Sequence, residues 1–293
     1  MKVIDWRWVI TRAGSVTLFL AGVFYVGGSW ALVNRLISPP CYPNEPLKGD
    51  WLDPQVVWIE NQAGLKLEVW IYPSRNGAVV IALGGSGGAA RQPVNFLLEE
   101  GYGIVEIRER SCSRPPGKVT LGFQEASDAE AIMQYIMHNI DVNPNKIGAL
   151  GFSMQGAAAI QFAAQNPNVR AVIAEGGYGN LGRMFSEAGD GRLAQPFLWG
   201  MQAWFQALTG VDPWQSSPVD VIGEISPNAV FLIYGEHEVH GAHPWEQYEA
   251  AGEPKQIWIV PGGSHGRNYA LDPEGYRARV LAFFEKFLLG AGE

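Results

Sequence analysis

The sequence GALGFSMQG, residues 148–156, ends an apolar run at a serine flanked by glycines. The run KIGALGF (146–152) predicts a buried strand, and the small residues of AAAIQFAAQ (157–165) predict a helix directly after it. A strained strand-to-helix turn lifts a serine hydroxyl clear of a sheet, and the helix N-terminus then points at the reacting oxygen. This context favours Ser153 as a nucleophile over an ordinary helix N-cap. Gln155 stands where the pattern Gly-x-Ser-x-Gly requires glycine, so we expect either a looser turn or a Gln155 side chain that lines the substrate pocket.

Strand and helix patterns alternate from residue 51 onward. Short apolar runs predict eight strands: the first two form an antiparallel pair, and most of the others are typical of strands buried on both faces of a parallel sheet. The runs lie at 56–60, 65–72, 78–85, 103–107, 146–152, 169–175, 229–235 and 255–260. Amphipathic helix patterns occur at 122–140 and 273–289. The sequence therefore predicts an α/β protein with a mostly parallel eight-stranded sheet and helices on both faces.

Residues 176–228 interrupt this alternation. They contain no strand candidate, and they carry the large aromatic residues Phe197, Trp199, Trp204, Phe205 and Trp214. Because an insertion of this length in a compact fold is usually functional, we expect a helical lid over the site. A packed decoration, whose aromatic side chains fill a small core of their own, is the alternative.

The first fifty residues differ in composition from the remainder. Residues 13–33 carry no charge, and at about 1.5 Å per residue they span roughly 30 Å, enough to cross a bilayer. We therefore expect residues 1–50 to form a membrane anchor, with a transmembrane helix over about 13–33 and a proline-rich tether after it. This segment is expected to share no core with the catalytic domain, residues 51–293.

The distribution of basic residues predicts the orientation of that helix. Lys2, Arg7 and Arg12 precede it and fewer basic residues follow closely, which favours a cytoplasmic N-terminus and a single-pass membrane protein with an extracytoplasmic catalytic domain. Two alternatives stay open. The segment Ser29-Trp30-Ala31 is a small-x-small cleavage site, which would give a secreted protein after removal of a signal peptide. The apolar stretch could also form a buried core helix.

The overall composition limits the classes of partner. A content of 47% hydrophobic and 17% charged residues suits a folded globule, and a net charge of −8 argues against nucleic acid as the main partner. Two cysteines, Cys41 and Cys112, are too few for a zinc site or a disulfide framework, and the sequence does not decide whether they pair. The histidines of HEVHGAH (237–243) lack the spacing of a metal motif, so no metal is expected.

A nucleophilic serine requires a general base and a carboxylate that orients the base. The glycine-rich sequence PGGSHG follows the last predicted strand and presents His265 as the base. The sequence YGEHEVH follows the penultimate strand and presents two candidate acids, Glu236 and Glu238.

These motifs together resemble the α/β-hydrolase superfamily over residues 60 to 290, most closely its dienelactone-hydrolase-like and acyl-peptidase-like serine hydrolases. GALGFSMQG resembles the nucleophile elbow, YGEHE the Gly-Glu-x-Asp acid loop, VPGGSHG the histidine loop and LGGSGG (83–88) the His-Gly-x-Gly oxyanion loop. The resemblance implies a catalytic triad of Ser153, Glu238 and His265, and an oxyanion hole formed by the backbone N–H groups of Ser86 and Met154.

The activity implied by the resemblance is hydrolysis of an ester, thioester or amide through an acyl-enzyme. The substrate would be a small-molecule or peptide acyl compound, and no cofactor would be needed. The chain departs from the family pattern at Gln155, at Glu238 (where aspartate is commoner) and at Gly84 (where the oxyanion loop usually has histidine). A catalytically silent binding protein with this fold and an acyltransferase using the same triad therefore stand as alternatives.

Overall fold

The computed structural model of the chain describes residues 6–47, 52, 54–84, 91–189 and 191–290, with the backbone alone at 6–10 and 18. One eight-stranded sheet with the order β1-β2-β4-β3-β5-β6-β7-β8 runs through it. The strands are β1 Gln55–Glu60, β2 Lys66–Tyr72, β3 Val79–Leu83, β4 Gly103–Ile107, β5 Ile147–Phe152, β6 Val169–Glu175, β7 Ala229–Gly235 and β8 Lys255–Val260. Strands β1 and β2 are antiparallel to each other, β2 is antiparallel to β4, and the remaining pairs are parallel. All eight predicted strands are confirmed close to their predicted bounds.

Helices cover both faces of the sheet, as predicted. The α-helices of the described residues are α1 Trp6–Gly22, α2 Ser29–Ile37, α3 Arg91–Glu99, α4 Phe123–Asn139, α5 Met154–Gln165, α6 Leu181–Glu187, α7 Gln195–Thr209, α8 Pro218–Val221, α9 Val239–Ala242, α10 Pro244–Ala250, α11 Asn268–Leu271 and α12 Pro273–Phe284. Side chains alternate along each strand, so Ile81 packs with α4 and α5 on one face while Val80 packs with α3 and α12 on the other. Both faces of β3 are buried, which explains its uninterrupted apolar sequence.

The N-terminal segment is one long helix in which a π-helical turn, Val23–Gly28, joins α1 to α2. The part from residue 11 to 37 is long and apolar enough to cross a membrane, and most of its surface is exposed. By length and composition it is a candidate for a membrane span or a signal sequence.

The end of this helix packs differently from the expectation that it shares no core with the catalytic domain. Val33 and Ile37 are fully buried, in a cluster with Val119, Ala157 and Phe205. The Ile37 carbonyl also accepts a hydrogen bond from the Val119 N–H (2.8 Å). Since a branched apolar side chain gains about 1.5–3 kcal/mol on full burial, α2 contributes to the stability of the folded domain.

Residues 38–47 of the proline-rich segment after α2 have no regular structure, as the prolines predict, but they are fixed to the domain, among other contacts by the Leu47 N–H, which donates to the Tyr72 hydroxyl (2.9 Å). Cys41 forms a disulfide with Cys112, with the two Cα atoms 4.9 Å apart. The Arg108 guanidinium donates a hydrogen bond to the Tyr42 carbonyl (2.7 Å) and lies 4.7 Å from the centre of the Trp70 ring. These residues are therefore held against the catalytic domain, next to β2 and the loop after β4.

The insertion between β6 and β7 is helical and contains α6, α7 and α8. Its aromatic residues serve different surfaces: Phe205 is fully buried, whereas Trp199 is 63% exposed. Helix α7 packs along α2 and the π-helical turn, so the insertion meets the N-terminal helix as well as the domain.

Candidate active site

The turn after β5 holds Ser153 in a strained backbone conformation. Its φ of 58° and ψ of −126° lie in a region that side-chain-bearing residues rarely adopt, and such strain is common at functional sites. The Ser153 N–H donates to the Glu175 carbonyl (2.7 Å), which ties the turn to β6. A Cβ at Gly151 would overlap the Gln155 carbonyl, so the tight turn requires glycine at that position.

Ser153, His265 and Glu238 form one hydrogen-bonded chain. The Ser153 Oγ lies 2.9 Å from His265 Nε2, and His265 Nδ1 lies 2.6 Å from Glu238 Oε1. The second carboxylate oxygen of Glu238 accepts the Gly235 N–H at 2.7 Å. The three side chains follow β5, β8 and β7 respectively, at the carboxyl ends of parallel strands, where sites in open α/β sheets form. The structure thus brings together the three residues that the sequence grouped.

The two other candidate acids have different partners. Glu236 accepts the Gly262 N–H (2.8 Å) and thereby holds the turn after β8. Glu175 is buried, and its two oxygens accept hydrogen bonds from the Asn268 amide (2.9 Å) and the Tyr276 hydroxyl (2.7 Å). Sequence reasoning missed Asn268 and Tyr276 as neighbours of the site, because an asparagine in a loop and a tyrosine on an apolar helix stripe have ordinary structural explanations.

The hydrogen bonds among Ser153, His265 and Glu238 shift the pKa values of the histidine and the glutamate. Burial raises the pKa of Glu238, but the hydrogen bonds from His265 and from the Gly235 N–H outweigh burial, so that the net pKa lies below the usual glutamate value. The hydrogen bond to Glu238 raises the pKa of His265 above 6.5 despite partial burial. Burial raises the pKa of Glu175. A second negative charge close to His265 is therefore disfavoured.

These shifts predict the acid limb of a pH–rate profile. A general base must be unprotonated, so kcat/KM should fall as the pH drops through the raised pKa of His265 and should be fully developed above it. Replacing Glu238 with glutamine removes the group that raises this pKa, and we expect the acid limb of the residual activity to move to lower pH. The measurement is kcat/KM against pH for both proteins, and a limb that stays in place would contradict the pairing.

Gln155 and Gly84, two of the residues that depart from the family pattern, lie next to each other. Gln155 is buried, and a Cβ placed on Gly84 would come within 2.8 Å of the Gln155 Cγ. A long side chain at 155 therefore occupies the space that a side chain at 84 would need. Gly84 has a φ of +63°, which favours glycine independently. This packing accounts for both departures without a change at the serine.

The predicted oxyanion hole is described in part. Met154 is the first residue of α5, and the leading N–H groups of a helix have no acceptor within the helix. Its N–H is thus available at the positive end of the helix dipole, next to Ser153. The second predicted donor, Ser86, lies outside the described residues.

A cavity of about 1020 Å³ opens over Ser153, at the upper end of the roughly 300–1,000 Å³ usual for small-molecule sites. Met184 and Phe185 of α6 line one wall. Leu36, Pro39 and Tyr42, from the end of α2 and the segment after it, line another, and Gln155 lies at the base. The contribution of the N-terminal segment was not predicted, because nothing in its composition indicates a pocket wall.

Comparison with known proteins supplies the family. The profile of the X-Pro dipeptidyl-peptidase family (S15) matches residues 60–218, which is more than half of the 293-residue chain. The chain belongs to the S15 peptidase family. Among curated proteins, this S15-family chain is 24% identical over 261 residues to YfhR of Escherichia coli (strain K12), with 83% of the chain and 84% of YfhR covered. It is 26% identical over 262 residues to Rv2307c of Mycobacterium tuberculosis (strain H37Rv), with 86% and 85% covered.

Solved structures show the same fold. An esterase of Pyrococcus furiosus superposes with a TM-score of 0.64 at 20% identity, covering 86% of this S15-family chain and 98% of the esterase. The acylaminoacyl peptidase of Pyrococcus horikoshii gives a TM-score of 0.62 at 17% identity, with 84% of the chain but only 43% of the peptidase covered. The superfamily expected from the sequence is confirmed, and the S15-family chain is a serine hydrolase with the α/β-hydrolase fold.

Proposed function

We propose that the protein hydrolyses an ester, thioester or amide through an acyl-enzyme on Ser153, with His265 as general base and Glu238 as the orienting acid. The observation that carries the proposal is the continuous pair of short contacts from Glu238 to His265 to Ser153, 2.6 and 2.9 Å long. Both distances are within the reach that proton transfer between positioned groups requires.

In the proposed mechanism His265 Nε2 removes the Ser153 proton as Oγ attacks the substrate carbonyl. The oxyanion that develops is held by the Met154 N–H and by a second donor, for which the family resemblance points to Ser86. His265 then protonates the leaving group, and a water molecule, deprotonated by the same nitrogen, releases the acid. Glu238 keeps Nδ1 protonated and stabilises the imidazolium in each half-reaction. Loss of one oxyanion donor typically costs about 2.7–4 kcal/mol of barrier.

The direct test is labelling with a fluorophosphonate, which reacts with activated serines. We expect the wild-type protein to be labelled and Ser153→Ala to remain unlabelled. A wild-type protein that is not labelled and turns over no ester would favour the silent binding protein. Product analysis with and without an alcohol or amine acceptor distinguishes hydrolysis from acyl transfer, and an X-Pro dipeptide substrate tests the chemistry named for the family.

The insertion between β6 and β7 is proposed as a lid. Its helix α6 supplies Met184 and Phe185 to the cavity. Two exposed side-chain contacts link α6 to the segment after β7. Arg183 contacts Glu246 and Glu187 contacts His243, each at 2.6 Å. Exposed polar contacts of this kind contribute roughly 0–1 kcal/mol each, so they hold α6 only weakly, and the buried Leu181 and Phe185 are what pack α6 against its neighbours.

The N-terminal helix is proposed as a membrane anchor with the catalytic domain outside the cytoplasm. Its length and exposed apolar surface support the span, and the basic residues before it support the orientation. The disulfide between Cys41 and Cys112 supports the same side of the membrane, because such bonds persist in oxidising compartments. A secreted form cut near Ser29 is the alternative.

Two truncations test the anchor and its contact with the domain. Deleting residues 1–22, which precede the contacts of Phe24, Val26 and Ser29 with α7, should make the protein extractable from membranes by alkaline carbonate while its thermal stability stays close to that of the full chain. Deleting residues 1–37 also removes Val33 and Ile37, and should cost about 3–6 kcal/mol of stability, or about 1.5–3 kcal/mol for each buried side chain. Thermal unfolding and carbonate extraction of the three proteins are compared. Equal stability of both truncations would show that α2 is dispensable, and carbonate extraction of the full chain would contradict the anchor.

A further inference from the structure

The lid helix α7 has an exposed face without charge. Residues 193–211 contain no Asp, Glu, Lys or Arg, and α7 accounts for most of them. The exposed positions of the helix are Pro196, Trp199, Ala203, Gln206 and Ala207. A surface helix of a globular protein ordinarily presents charged and polar residues on its outer face. This outer face is instead apolar except for Gln206.

The same helix is packed along the N-terminal helix through small and aromatic residues. A Cβ on Gly200 would lie 2.6 Å from the buried Ser29 Oγ, so the two helices approach closely at that point. The Phe197 and Phe24 rings are 5.4 Å apart, and the Trp204 indole N–H donates to the Val26 carbonyl (3.1 Å). Small residues at the crossing are the mode of packing that helices use within membranes.

The position of this contact along the N-terminal helix fixes the depth of α7. From residue 13, where the uncharged stretch begins, to Phe24, the helix rises about 18 Å, which is less than the roughly 30 Å of a hydrocarbon core. The core must therefore extend to about residue 32, past the contacts that Phe24, Val26 and Ser29 make with α7, while the contact itself continues along α2 to Val33 and Ile37, which pack in one cluster with Phe205. A shift of the span toward the N-terminus would place Arg7 and Arg12 in hydrocarbon, which is costly.

The exposed apolar side chains of the insertion and those of the N-terminal helix form adjoining parts of one surface. Leu193 (82% exposed) and Trp199 lie on the insertion, and the N-terminal helix exposes Val16, Phe19, Leu20, Val23, Phe24, Val26 and Trp30. The surface is thus continuous with the candidate membrane span. The occupant that fits it is the bilayer in which that span lies.

The catalytic cavity is connected to α7 through α6: Phe185 lines the cavity and packs on Phe205 of α7, with the ring centres 5.6 Å apart. Its walls are α6, in the same insertion as α7, and the end of α2 with the segment after it, which leads out of the membrane. Leu36, Pro39, Met184 and Phe185 give these walls an apolar surface, beside Asn44 and Glu187, which also line the cavity together with the reacting serine. An acyl chain that leaves the bilayer between these walls would reach Ser153 without crossing water.

We propose that α7 lies in the outer leaflet and that the substrate is a long-chain acyl ester held in the bilayer, whose chain fills the cavity between α6 and the α2 segment. The proposal rests on the proposed function for the chemistry at Ser153. In that step the ester C–O bond breaks, the acyl group passes to Oγ and then to water, and the alcohol leaves with the proton from His265.

The depth of α7 can be measured on the full chain in vesicles. Cys41 and Cys112 are joined in the disulfide, so a cysteine introduced at Trp199 is the one free thiol to carry a fluorophore. Trp245, 50% exposed on α10, gives a matched control position. In vesicles of phosphatidylcholine and phosphatidylglycerol that contain doxyl-labelled lipid, we expect at least twofold quenching at 199 and none at 245. Equal exposure of both labels to water would overturn the proposal. A label at 199 that is shielded from water but not quenched would indicate a protein partner or a second copy of the chain, and would also overturn it.

Measurements of ester turnover test the proposed substrate class separately from the proposed chemistry at Ser153. We expect kcat/KM for soluble p-nitrophenyl esters to rise from acetate to octanoate by about two- to fourfold per methylene, as the chain fills the apolar walls. For p-nitrophenyl palmitate in the same vesicles, Trp199→Glu should lower the ratio of palmitate to acetate turnover at least tenfold, whereas Trp245→Glu should keep it. Turnover of acetate with no gain from longer chains would overturn the substrate class and leave the proposed function standing. Turnover of no ester at all, with the label at 199 still quenched, would overturn the substrate class and leave the membrane contact standing. Fluorophosphonate labelling then decides the proposed function, which is overturned as well if Ser153 is not labelled.

Discussion

Replacing Ser153 with alanine is expected to lower kcat by about 10⁶-fold while the fold stays intact. Removal of a nucleophile that acts together with its base costs about as much as removal of the whole triad. The side chain contributes little to packing: its hydroxyl contacts His265 Nε2 at 2.9 Å and it is only partly buried. Alanine at the same φ of 58° carries the same backbone strain, so stability should change little.

The measurement is single-turnover hydrolysis of a soluble ester, with a thermal unfolding curve for each protein. Ser226→Ala, which removes an exposed hydroxyl bonded to the Glu253 carbonyl, serves as the control and should keep wild-type turnover. If Ser153→Ala kept full activity on an ester that the wild type hydrolyses, the nucleophile would be another residue.

Glu238→Gln is expected to lower kcat by about 10⁴-fold, the cost of leaving an imidazole in the wrong tautomer. The carboxylate is 2.6 Å from His265 Nδ1, and its amide replacement would present N–H donors to the same nitrogen. Glutamate is one methylene longer than the aspartate usual in the family. The 3₁₀ turn Glu236–Glu238 and the Gly235 N–H place its carboxylate in reach of the ring.

The same loop provides the control. Glu236→Gln removes a charge two residues away whose contact is the Gly262 N–H, and it should retain most of the activity. Steady-state kinetics of both variants decide the matter. A larger loss at 236 than at 238 would reverse the assignment. Equal small losses would exclude both, and would point to the buried Glu175 as the acid.

The fold and the grouping of the site follow from local patterns. Strands β3 to β7 are short and mostly apolar because both faces of the sheet are buried there, and this pattern can be recognised in the sequence without knowledge of tertiary contacts. Residues after the carboxyl ends of neighbouring parallel strands must meet at one edge. Ser153 after β5 and His265 after β8 could therefore be placed on the same edge of the sheet from the sequence, but β6 and β7 lie between their strands, so their direct contact was an expectation of the family resemblance.

The features that the sequence did not predict depend on contacts between distant segments. Leu36 and Tyr42 line the cavity because the burial of Ile37, the Arg108 contact with Tyr42 and the Cys41–Cys112 disulfide hold this segment, and two cysteines 71 residues apart give no sign of pairing. The fit of Gln155 over Gly84 depends in the same way on two loops that meet in space. Each residue taken alone departs from a family motif, and the packing of one against the other explains both departures.

For the membrane-anchored enzyme proposed above, the fixed residues 38–47 determine which substrates the catalytic domain can reach. A free proline-rich tether would extend about 3.1 Å per residue and would let the domain search the solution above its anchor. The Cys41–Cys112 bond and the Arg108 contact with Tyr42 remove that slack. For an anchored enzyme held in this way, concentration is counted in molecules per area of membrane. Dilution of a vesicle suspension with buffer would leave the rate per enzyme unchanged, whereas dilution of the substrate with inert lipid would lower it.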